Sequence, residues 1–169
     1  DAGVDWRWGE GFGGWLDALA ENIALNVAPL VGHSVLRMYV MGEASQERVA
    51  TPEEIAQMCD LVRASMAAGA LGISSSYVDI DENMKPVPSR YADLDEKIAL
   101  AKAMAESGRG VWQVVPYFPD IKEELANIRE LGEISRAAGI PCSLQPVLSS
   151  PTSPLAAEID RRLLAVQPD

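Results

Sequence analysis

The sequence places polar side chains that could do chemistry at the ends of its apolar segments. The single histidine, His33, directly follows the segment APLVG, and Arg37 lies four residues later. An imidazole can act as a general base, and a guanidinium can bind a carboxylate through two hydrogen bonds. Structural interpretations stay open beside these: His33 could bond to neighbouring backbone, and Arg37 could pair with one of the 25 acidic residues.

Three further apolar segments end on polar or aromatic side chains. They lead into the serines at 74–76, into Tyr117 and into Gln145. The longest loop, at 77–91, is polar and rich in proline, and its Arg90 could bind an anionic group or only orient the loop. The serines could likewise form no more than a turn. The candidate substrate-binding residues are His33, Arg37, Ser74, Ser75, Ser76, Arg90, Tyr117 and Gln145.

No established catalytic motif is complete in the sequence, and the catalytic residues are not identified. One histidine and two distant cysteines, Cys59 and Cys142, do not supply the ligands of a zinc hydrolase, so no residue is predicted to bind a metal. A Ser-His-Asp triad would need His33 as its base, and no Gly-x-Ser-x-Gly turn provides a nucleophile. The segment GEGFGG follows WRW rather than a strand, which argues against a dinucleotide-binding loop.

Composition and charge restrict the class of protein. The chain has 169 residues, which suits one domain, and 48% of them are hydrophobic. A net charge of -11 argues against binding to nucleic acid or to anionic membranes, because both need basic surfaces. The sequence contains no signal peptide and no stretch of about 18 apolar residues, so we expect a cytoplasmic location.

The spacing of apolar residues predicts alternating strands and helices. Apolar segments predict strands at Ala24–Gly32, Gly69–Ser74, Val111–Pro116 and Pro141–Val147. Helical spacing predicts helices at Gly14–Glu21, Thr51–Ala68, Asp93–Ser107, Asp120–Ala138 and from Pro154 to about Ala165. The segments TPEE and DLDE, at the start of two of these helices, are typical of capping boxes.

This alternation predicts an α/β fold with parallel strands, because helices of this length serve as crossovers between parallel neighbours. The strands are apolar throughout, which favours a sheet covered on both faces. Two architectures fit the pattern: a doubly wound sheet, or about four β/α units of a (β/α)8 barrel. In either one, the carboxyl ends of the strands meet at one rim, where the candidate residues would gather.

Three segments, in this order, resemble the D-aminoacylase branch of the amidohydrolase superfamily. They are NVAPLVGHSVLRMYVMG, ATPEEIAQMCDLVRASMAAGALGISSS and PVPSRYADLDE. The first fits the pattern Asn-Val-x-x-Leu-Val-Gly-His-x-x-Leu-Arg, and the second fits a helix with a Thr-x-x-Glu start followed by Gly-Ala-x-Gly-x-Ser. Members are known as N-acyl-D-amino-acid deacylases, or amidohydrolase family 3. The resemblance extends from about Trp6 to Gly110.

The resemblance implies part of a (β/α)8 barrel that hydrolyses an amide bond with zinc-activated water. The four strands would be about the third to the sixth of the eight. Residues 1–169 would then form a single segment of one barrel domain, with both ends of the barrel outside it. The family's His-x-His lies on the first strand and its catalytic aspartate lies on the last.

The sequence departs from the family at two metal-binding positions. The family's fifth and sixth strands end in Thr-His-x-Arg-like and Ser-His motifs, whose histidines fall, within a residue, on Val115 and Pro146 of this chain. The segments VWQVVPY and CSLQPVL contain no histidine. The family thus implies zinc, while this segment offers no recognisable ligand. Either another ligand set is used, or the metal is lost and Gln145 or Tyr117 positions the substrate.

These observations predict that the parent protein is an enzyme that hydrolyses a non-peptide carbon–nitrogen bond, with an N-acyl-D-amino acid or related small amide as substrate. Whether the isolated segment has activity is left open. The first alternative is a metal-free binding or scaffold module derived from the barrel. The second is an unrelated α/β enzyme with His33 as base. A partial barrel has two unpaired sheet edges, so we expect association with a second copy or with the remainder of the parent chain.

Overall fold

The computed structural model describes residues 11–21, 23–117, 120–145 and 161. Apart from residue 161, the helix predicted from Pro154 to about Ala165 lies outside these residues, as do Pro146 and Val147. Among the described helices, none is long and apolar enough to cross a membrane.

The described residues form four strands and five α-helices that largely alternate along the chain. The strands are β1 (Leu30–Gly32), β2 (Gly72–Ser76), β3 (Val111–Val115) and β4 (Cys142–Leu144). The helices are α1 (Gly11–Ala20), α2 (His33–Met41), α3 (Pro52–Ala68), α4 (Leu94–Ala105) and α5 (Ile121–Ala138). Two short 3-10 helices, at Gly42–Gln46 and Pro88–Tyr91, lie in the connections.

The four strands form one parallel sheet in the order β1-β2-β3-β4. This confirms the predicted α/β class with parallel strands. Each strand lies beside the strand that precedes it in the chain, and the order never reverses as it does at the switch point of a doubly wound sheet. The topology therefore corresponds to part of a (β/α)8 barrel rather than to the doubly wound alternative.

The third strand ends at Val115, one residue before the prediction, and the other three differ by several residues. The first strand begins only at Leu30, because the apolar residues before it lie outside the ladder, and Leu25 is 81% exposed. The second begins at Gly72 rather than Gly69, since Gly69 adopts the left-handed conformation that ends α3. It continues through Ser76, so all three serines belong to the strand. The fourth is shorter than predicted and spans Cys142–Leu144.

Helix α2 was not predicted from the sequence. Its buried residues recur with helical spacing, but two of them, His33 and Arg37, are polar. Three apolar residues of the same helix are exposed instead: Val35, Met38 and Tyr39. An apolar periodicity cannot detect a helix that buries its polar residues and exposes its apolar ones.

The helix starts show one complete capping box and one that is only half formed. The Thr51 side chain accepts a bond from the Glu54 backbone N–H, and the Glu54 carboxylate accepts one from the Thr51 N–H at 2.8 Å, as TPEE predicts. At α4, the Asp93 side chain accepts a bond from the Glu96 N–H at 2.9 Å. The Glu96 side chain, however, turns into the core rather than back to Asp93.

The hydrophobic core lies between one face of the sheet and the helices. We call this the helix-packed face. Ile73, Trp112 and Val114 contribute fully buried side chains to it from the strands, and Met58, Val62 and Met66 do so from α3. Because side chains alternate along a strand, β3 is buried at Trp112 and Val114 and only half-buried at its other three positions. We expected helices or other elements to cover both faces of the sheet. Within the described residues, only the helix-packed face is covered.

Candidate functional site

The only histidine lies at the junction of β1 and α2, behind the rim of the sheet. His33 is the first residue of α2, and its side chain is 0% exposed. Its Nδ1 lies 3.0 Å from the Ser75 hydroxyl, and its Nε2 lies 2.8 Å from a carboxylate oxygen of Glu96. Its ring also packs edge-on against Trp112, with the ring centroids 5.6 Å apart. The imidazole therefore belongs to the helix-packed face.

Arg37 lies one turn further along α2 and is equally buried. Its guanidinium pairs with the second carboxylate oxygen of Glu96. It also donates to the backbone carbonyls of Ser45, at 3.2 Å, and Arg48, at 2.7 Å. Arg37 thus pairs with an acidic residue, as one interpretation of the sequence allowed, and ties the chain after α2 to the first turn of α4.

The protonation states of this buried cluster follow from its contacts. Burial lowers the pKa of His33 despite the hydrogen bond and attraction from Glu96, so the imidazole is neutral at pH 7. Burial by itself would raise the pKa of Glu96, but its bonds to His33 and Arg37 outweigh burial and lower it. A neutral imidazole that donates from Nε2 to Glu96 accepts at Nδ1 from the Ser75 hydroxyl. The cluster therefore holds one positive and one negative charge.

A second, partly buried group of polar side chains joins α4 to α5. The Tyr77 hydroxyl donates to Glu130 at 2.8 Å, and Lys97 Nζ lies 2.5 Å from the same carboxylate oxygen. Lys97 Nζ also lies 4.6 Å from the centroid of the Tyr77 ring. Burial, followed by the charge of Glu130, raises the pKa of the Tyr77 hydroxyl, so that it stays protonated. This arrangement fixes the positions of the two helices.

The three serines of β2 divide between the two faces of the sheet and the turn that follows. Ser75 points to the helix-packed face and bonds His33. Ser76 accepts bonds from the backbone N–H groups of Val78 and Asp79, which forms a turn. Ser74 alternates with Ser75 and so points to the other side of the sheet. Of the three, only Ser74 is half-buried; the other two are buried.

The side of the sheet on which Ser74 lies carries a row of polar residues, and we call it the opposite face. Ser74 is in register with Gly32 of β1 and with Gln113 of β3, and Gln113 is in register with Ser143 of β4. Gln113 Nε2 donates to Oε1 of Gln145, just beyond β4, at 3.0 Å. In a (β/α)8 barrel, the face away from the helices is the barrel interior.

The structure also brings Arg90 and Tyr117 together. Arg90 Nη1 donates to the carbonyls of Val78, at 3.2 Å, and Asp79, at 3.4 Å. Its guanidinium carbon lies 5.7 Å from the centroid of the Tyr117 ring. The Tyr117 backbone N–H donates to the Asn127 side chain at 2.9 Å. Arg90 therefore does orient the loop that follows β2, and it does so beside the end of β3.

Sequence reasoning missed two residues of this arrangement, Glu96 and Gln113. Glu96 had an apparent role as the third residue of a capping box, so its burial with His33 was not foreseen. Gln113 is a polar residue inside the apolar strand VWQVV. A polar residue at such a position was the available signal, because strand alternation places it on the face away from Trp112.

The ends of β3 and β4 do not fit a metal ion. Val115, Pro116 and Leu144 lack side-chain ligand atoms. The Cys142 thiol, at the start of β4, contacts the Leu131 carbonyl at 3.6 Å, and burial raises its pKa to about 11, which disfavours the thiolate that a metal requires. Among the described residues, no group of three or more His, Cys, Asp or Glu side chains could hold a metal ion.

The chain is similar in sequence to curated deacylases. No family model matches it. It is 50% identical over 143 residues to a D-aminoacylase of Alcaligenes xylosoxydans xylosoxydans, a match that covers 83% of this chain and 27% of the relative. This stretch is longer than the one from about Trp6 to Gly110 that the motifs indicated. The chain thus spans about a quarter of the length of that relative.

Solved structures show the same relationship. A crystal structure of D-aminoacylase, described as defining a subset of amidohydrolases, aligns with 92% of this chain and 31% of its own, with a TM-score of 0.74 and 28% identity. An N-acyl-D-glutamate deacylase from Bordetella bronchiseptica, in complex with zinc and a phosphonate inhibitor, aligns over the same share of this chain, with a TM-score of 0.67 and 26% identity. It is covered over 32% of its length. The resemblance seen in the motifs is confirmed.

Proposed function

We propose, from the similarity of this segment to the D-aminoacylases of the amidohydrolase superfamily, that the full-length protein hydrolyses the amide bond of an N-acyl-D-amino acid. The observation that carries the proposal is 50% identity over 83% of the chain, supported by a fold that aligns with a solved D-aminoacylase over 92% of it. The segment covers about a quarter to a third of these proteins, so the activity belongs to the whole protein rather than to the segment alone.

The segment contributes a rim and part of a substrate pocket. Arg90 donates to the loop carbonyls through Nη1. A guanidinium has five N–H donors, so Arg90 has further donors that suit the carboxylate of an amino acid. Tyr117 lies against the same guanidinium and would restrict its orientation. Ser74 lies on the opposite face, toward the interior of the complete barrel. We assign these three residues to substrate binding.

The buried cluster of His33, Arg37 and Glu96 positions the rim. It connects the end of β1, the end of β2 through Ser75, and the first turn of α4. Its influence on a substrate would pass through these backbone positions, because the His33 and Arg37 side chains are 0% exposed. The second alternative from the sequence, an enzyme with His33 as general base, has no support in this geometry.

The residues at the ends of β3 and β4 do not fit the zinc that the family implies. We therefore derive no catalytic step through a metal from this segment, and we propose that the catalytic acid and base lie elsewhere in the full-length protein. A cytoplasmic location remains part of this proposal.

The same residues favour a second candidate function. By the family resemblance, the metal-binding histidines fall, within a residue, on Val115 and Pro146, and the sequence has no histidine at either place, so a barrel-derived binding module for small amides is the alternative. Stoichiometric zinc in the full-length protein would remove this alternative.

Association of the segment is also proposed. In the described sheet, β1 and β4 each pair with a neighbour on one side only, and the opposite face is partly exposed. Such edges invite pairing with another chain. We expect the isolated segment to bind a second copy or the remainder of its parent chain. Light scattering that shows a monodisperse monomer at micromolar concentration would contradict this.

An assay of the full-length protein tests the proposed activity. Purified protein is incubated with matched N-acetyl-D- and N-acetyl-L-amino acids, and the release of free amino acid is measured together with the zinc content. Release from the D-isomers above the L-isomers supports the proposal. Binding of the amides without hydrolysis would favour the binding module, and absence of both would refute the two functions together.

A further inference from the structure

The Tyr117 backbone, just beyond the end of β3, is held by a side chain of α5. Oδ1 of Asn127, in the second turn of that helix, accepts a hydrogen bond from the Tyr117 N–H at 2.9 Å. The pairing of β3 with its neighbours ends at Val115, so the Tyr117 N–H lies past the strand ladder and Asn127 supplies its partner. Asn127 therefore fixes the point at the strand end from which the Tyr117 ring extends.

The backbone that carries Arg90 is fixed by serines on two neighbouring elements. The Ser34 hydroxyl, in the first turn of α2, accepts a bond from the Ser89 N–H at 3.1 Å. The Ser89 hydroxyl donates to the carbonyl of Ser76, at the end of β2, at 3.4 Å. These bonds hold the short 3-10 helix that contains Arg90 at the rim of the sheet. The orientation of the Arg90 side chain then depends on its own contacts, which are two loop carbonyls and the Tyr117 ring.

Among the described residues, Arg90 has no acidic partner for its positive charge. Other arginines of the chain pair with carboxylates, as Arg48 does with Glu54 and Arg63 does with Glu106. The contacts of Arg90, by contrast, are with carbonyl oxygens and an aromatic ring. Such neutral partners orient a guanidinium and leave its charge available to an anionic ligand.

The orientation of the guanidinium decides how well it can bind a carboxylate. A planar guanidinium donates two parallel hydrogen bonds only when its plane matches that of the two carboxylate oxygens. The guanidinium carbon of Arg90 lies 5.7 Å from the centroid of the Tyr117 ring, so a displacement of the ring removes a restraint on this orientation. Asn127 is therefore linked to Arg90 through one hydrogen bond and one ring contact.

We propose that Asn127 is a positioning residue for recognition of the substrate carboxylate. Through Tyr117, it sets the orientation in which the Arg90 guanidinium meets that carboxylate, and Asn127 itself touches no substrate. This inference rests on the proposed function, because it depends on the assignment of Arg90 to the carboxylate of an N-acyl-D-amino acid. It assigns no bond-breaking step to these residues.

The test measures how strongly the full-length protein prefers a substrate with a carboxylate. The probes are N-acetyl-D-leucine and N-acetyl-D-leucinamide, in which an uncharged carboxamide replaces the carboxylate, and release of the free α-amine gives kcat and KM for each. The unsubstituted protein should favour the acid by about tenfold or more in kcat/KM, because the acid accepts charge-assisted hydrogen bonds from Arg90. Asn127→Ala removes the acceptor for the Tyr117 N–H. It should reduce this preference by about threefold to tenfold, chiefly through a higher KM for the acid.

A double-mutant cycle shows whether Asn127 acts through Arg90. Arg90→Gln removes the guanidinium and should abolish the preference for the acid. In that background, Asn127→Ala should have no further effect on the preference, whereas independent contributions would add. Tyr117→Leu, which removes the ring and keeps the backbone bond to Asn127, should lower the preference as Asn127→Ala does. Ala126→Ser, at the neighbouring exposed position of α5, should leave the preference unchanged.

The outcomes separate this inference from the proposed function. Hydrolysis with an unchanged preference in Asn127→Ala, an equal loss for both probes, or an effect that persists beside Arg90→Gln overturns the inference and leaves the proposed function standing. Hydrolysis of both probes at equal kcat/KM by the unsubstituted protein does the same. If the probes bind without hydrolysis, calorimetry measures the preference, and one that depends on Asn127 supports the inference and overturns the proposed activity. If neither probe binds, both are refuted.

Discussion

The two faces of the sheet use polar residues in different ways. On the helix-packed face, His33, Arg37, Glu96 and Ser75 satisfy one another in a buried cluster. On the opposite face, Ser74 and the hydrogen-bonded pair Gln113–Gln145 are partly accessible in this segment. The residue types that most suggest catalysis thus lie on the face that stabilises the fold. The less conspicuous amides lie on the face that would be the interior of a complete barrel.

This difference is a matter of strand alternation. Ser74 and Ser75 are adjacent in the sequence, yet one lies on each face. In a buried ionic cluster of this kind, the cost of removing the charges from water offsets much of their attraction, so the intact cluster adds little net stability. Removing one member is nevertheless costly, since the remaining charge is then buried without a partner.

The largest effect should follow from Glu96→Gln. This substitution leaves the Arg37 guanidinium buried without a charged partner and should lower the free energy of unfolding of the full-length protein by about 3–5 kcal/mol, measured by urea denaturation. Asp95→Asn, at an exposed position in the same turn of α4, should change it by no more than about 0.5 kcal/mol. Equal losses for the two variants would show that the cluster does not stabilise the fold.

The next effect should come from Ser75→Ala. The variant removes the donor to His33 Nδ1 and leaves a buried acceptor unsatisfied, which should cost about 1–3 kcal/mol of unfolding free energy. The ratio of activity on D- and L-substrates should stay the same, because Ser75 points away from the opposite face. Thermal unfolding measures the loss of stability, and the hydrolysis assay measures the ratio of activity on D- and L-substrates. A variant with unchanged stability and a changed D/L ratio would contradict both expectations.

The free energy of unfolding should depend on pH through the protonation of His33. The pKa of His33 is lower in the folded protein than its ordinary value of 6.5, so the unfolded chain binds the proton more readily. The contribution of His33 to the free energy of unfolding is therefore complete above about pH 6.5 and is lost as the pH falls. For one proton, this loss is at most about 1.4 kcal/mol per pH unit. The pKa of Glu96 is also lowered from its ordinary value of 4.5, so protonation of Glu96 lowers the free energy of unfolding further below about pH 4.5.

A His33→Gln variant isolates this contribution. The difference in unfolding free energy between the parent protein and the variant should shrink as the pH falls below about 6.5. Denaturant titrations at a series of pH values measure it. A difference that stays constant from pH 7 to pH 5 would mean that His33 has an ordinary pKa in the folded protein.

The smallest effect on stability is expected on the opposite face. Ser74→Ala removes a half-buried hydroxyl and should change the unfolding free energy by no more than about 0.5 kcal/mol. The KM of the full-length protein for an N-acetyl-D-amino acid should rise, because we assign Ser74 to substrate binding. A loss of stability as large as that of Ser75→Ala would erase the distinction between the two faces.

Much of the fold could be predicted because its signals are local. The Thr51–Glu54 capping box and the left-handed glycines after α3 and α5, Gly69 and Gly139, mark helix ends within a few residues. Helical spacing in α3 places Met58, Val62 and Met66 on one face, and all three are buried. Helix α2 escaped prediction because its buried positions include a histidine and an arginine, whose partner lies about sixty residues away in α4.

The candidate site was predicted less well, for the same reason. The strand ends could be located approximately from the sequence. The face on which each side chain lies could not, because a shift of one residue in the strand pairing moves every side chain to the other face. Arg90 and Tyr117 could be named as candidates, whereas their mutual contact depends on how the loop after β2 folds back on β3.

The sequence by itself determined the α/β class, the main helix starts and the family resemblance, because these depend on neighbouring residues and on residue order. Only the tertiary structure decided that the single histidine is buried against Glu96 and Arg37, and that Gln113 and Gln145 meet on the opposite face. Hydrogen bonds between residues distant in sequence form only when strands and helices pack, and the burial that then lowers the pKa of His33 is a property of that packing.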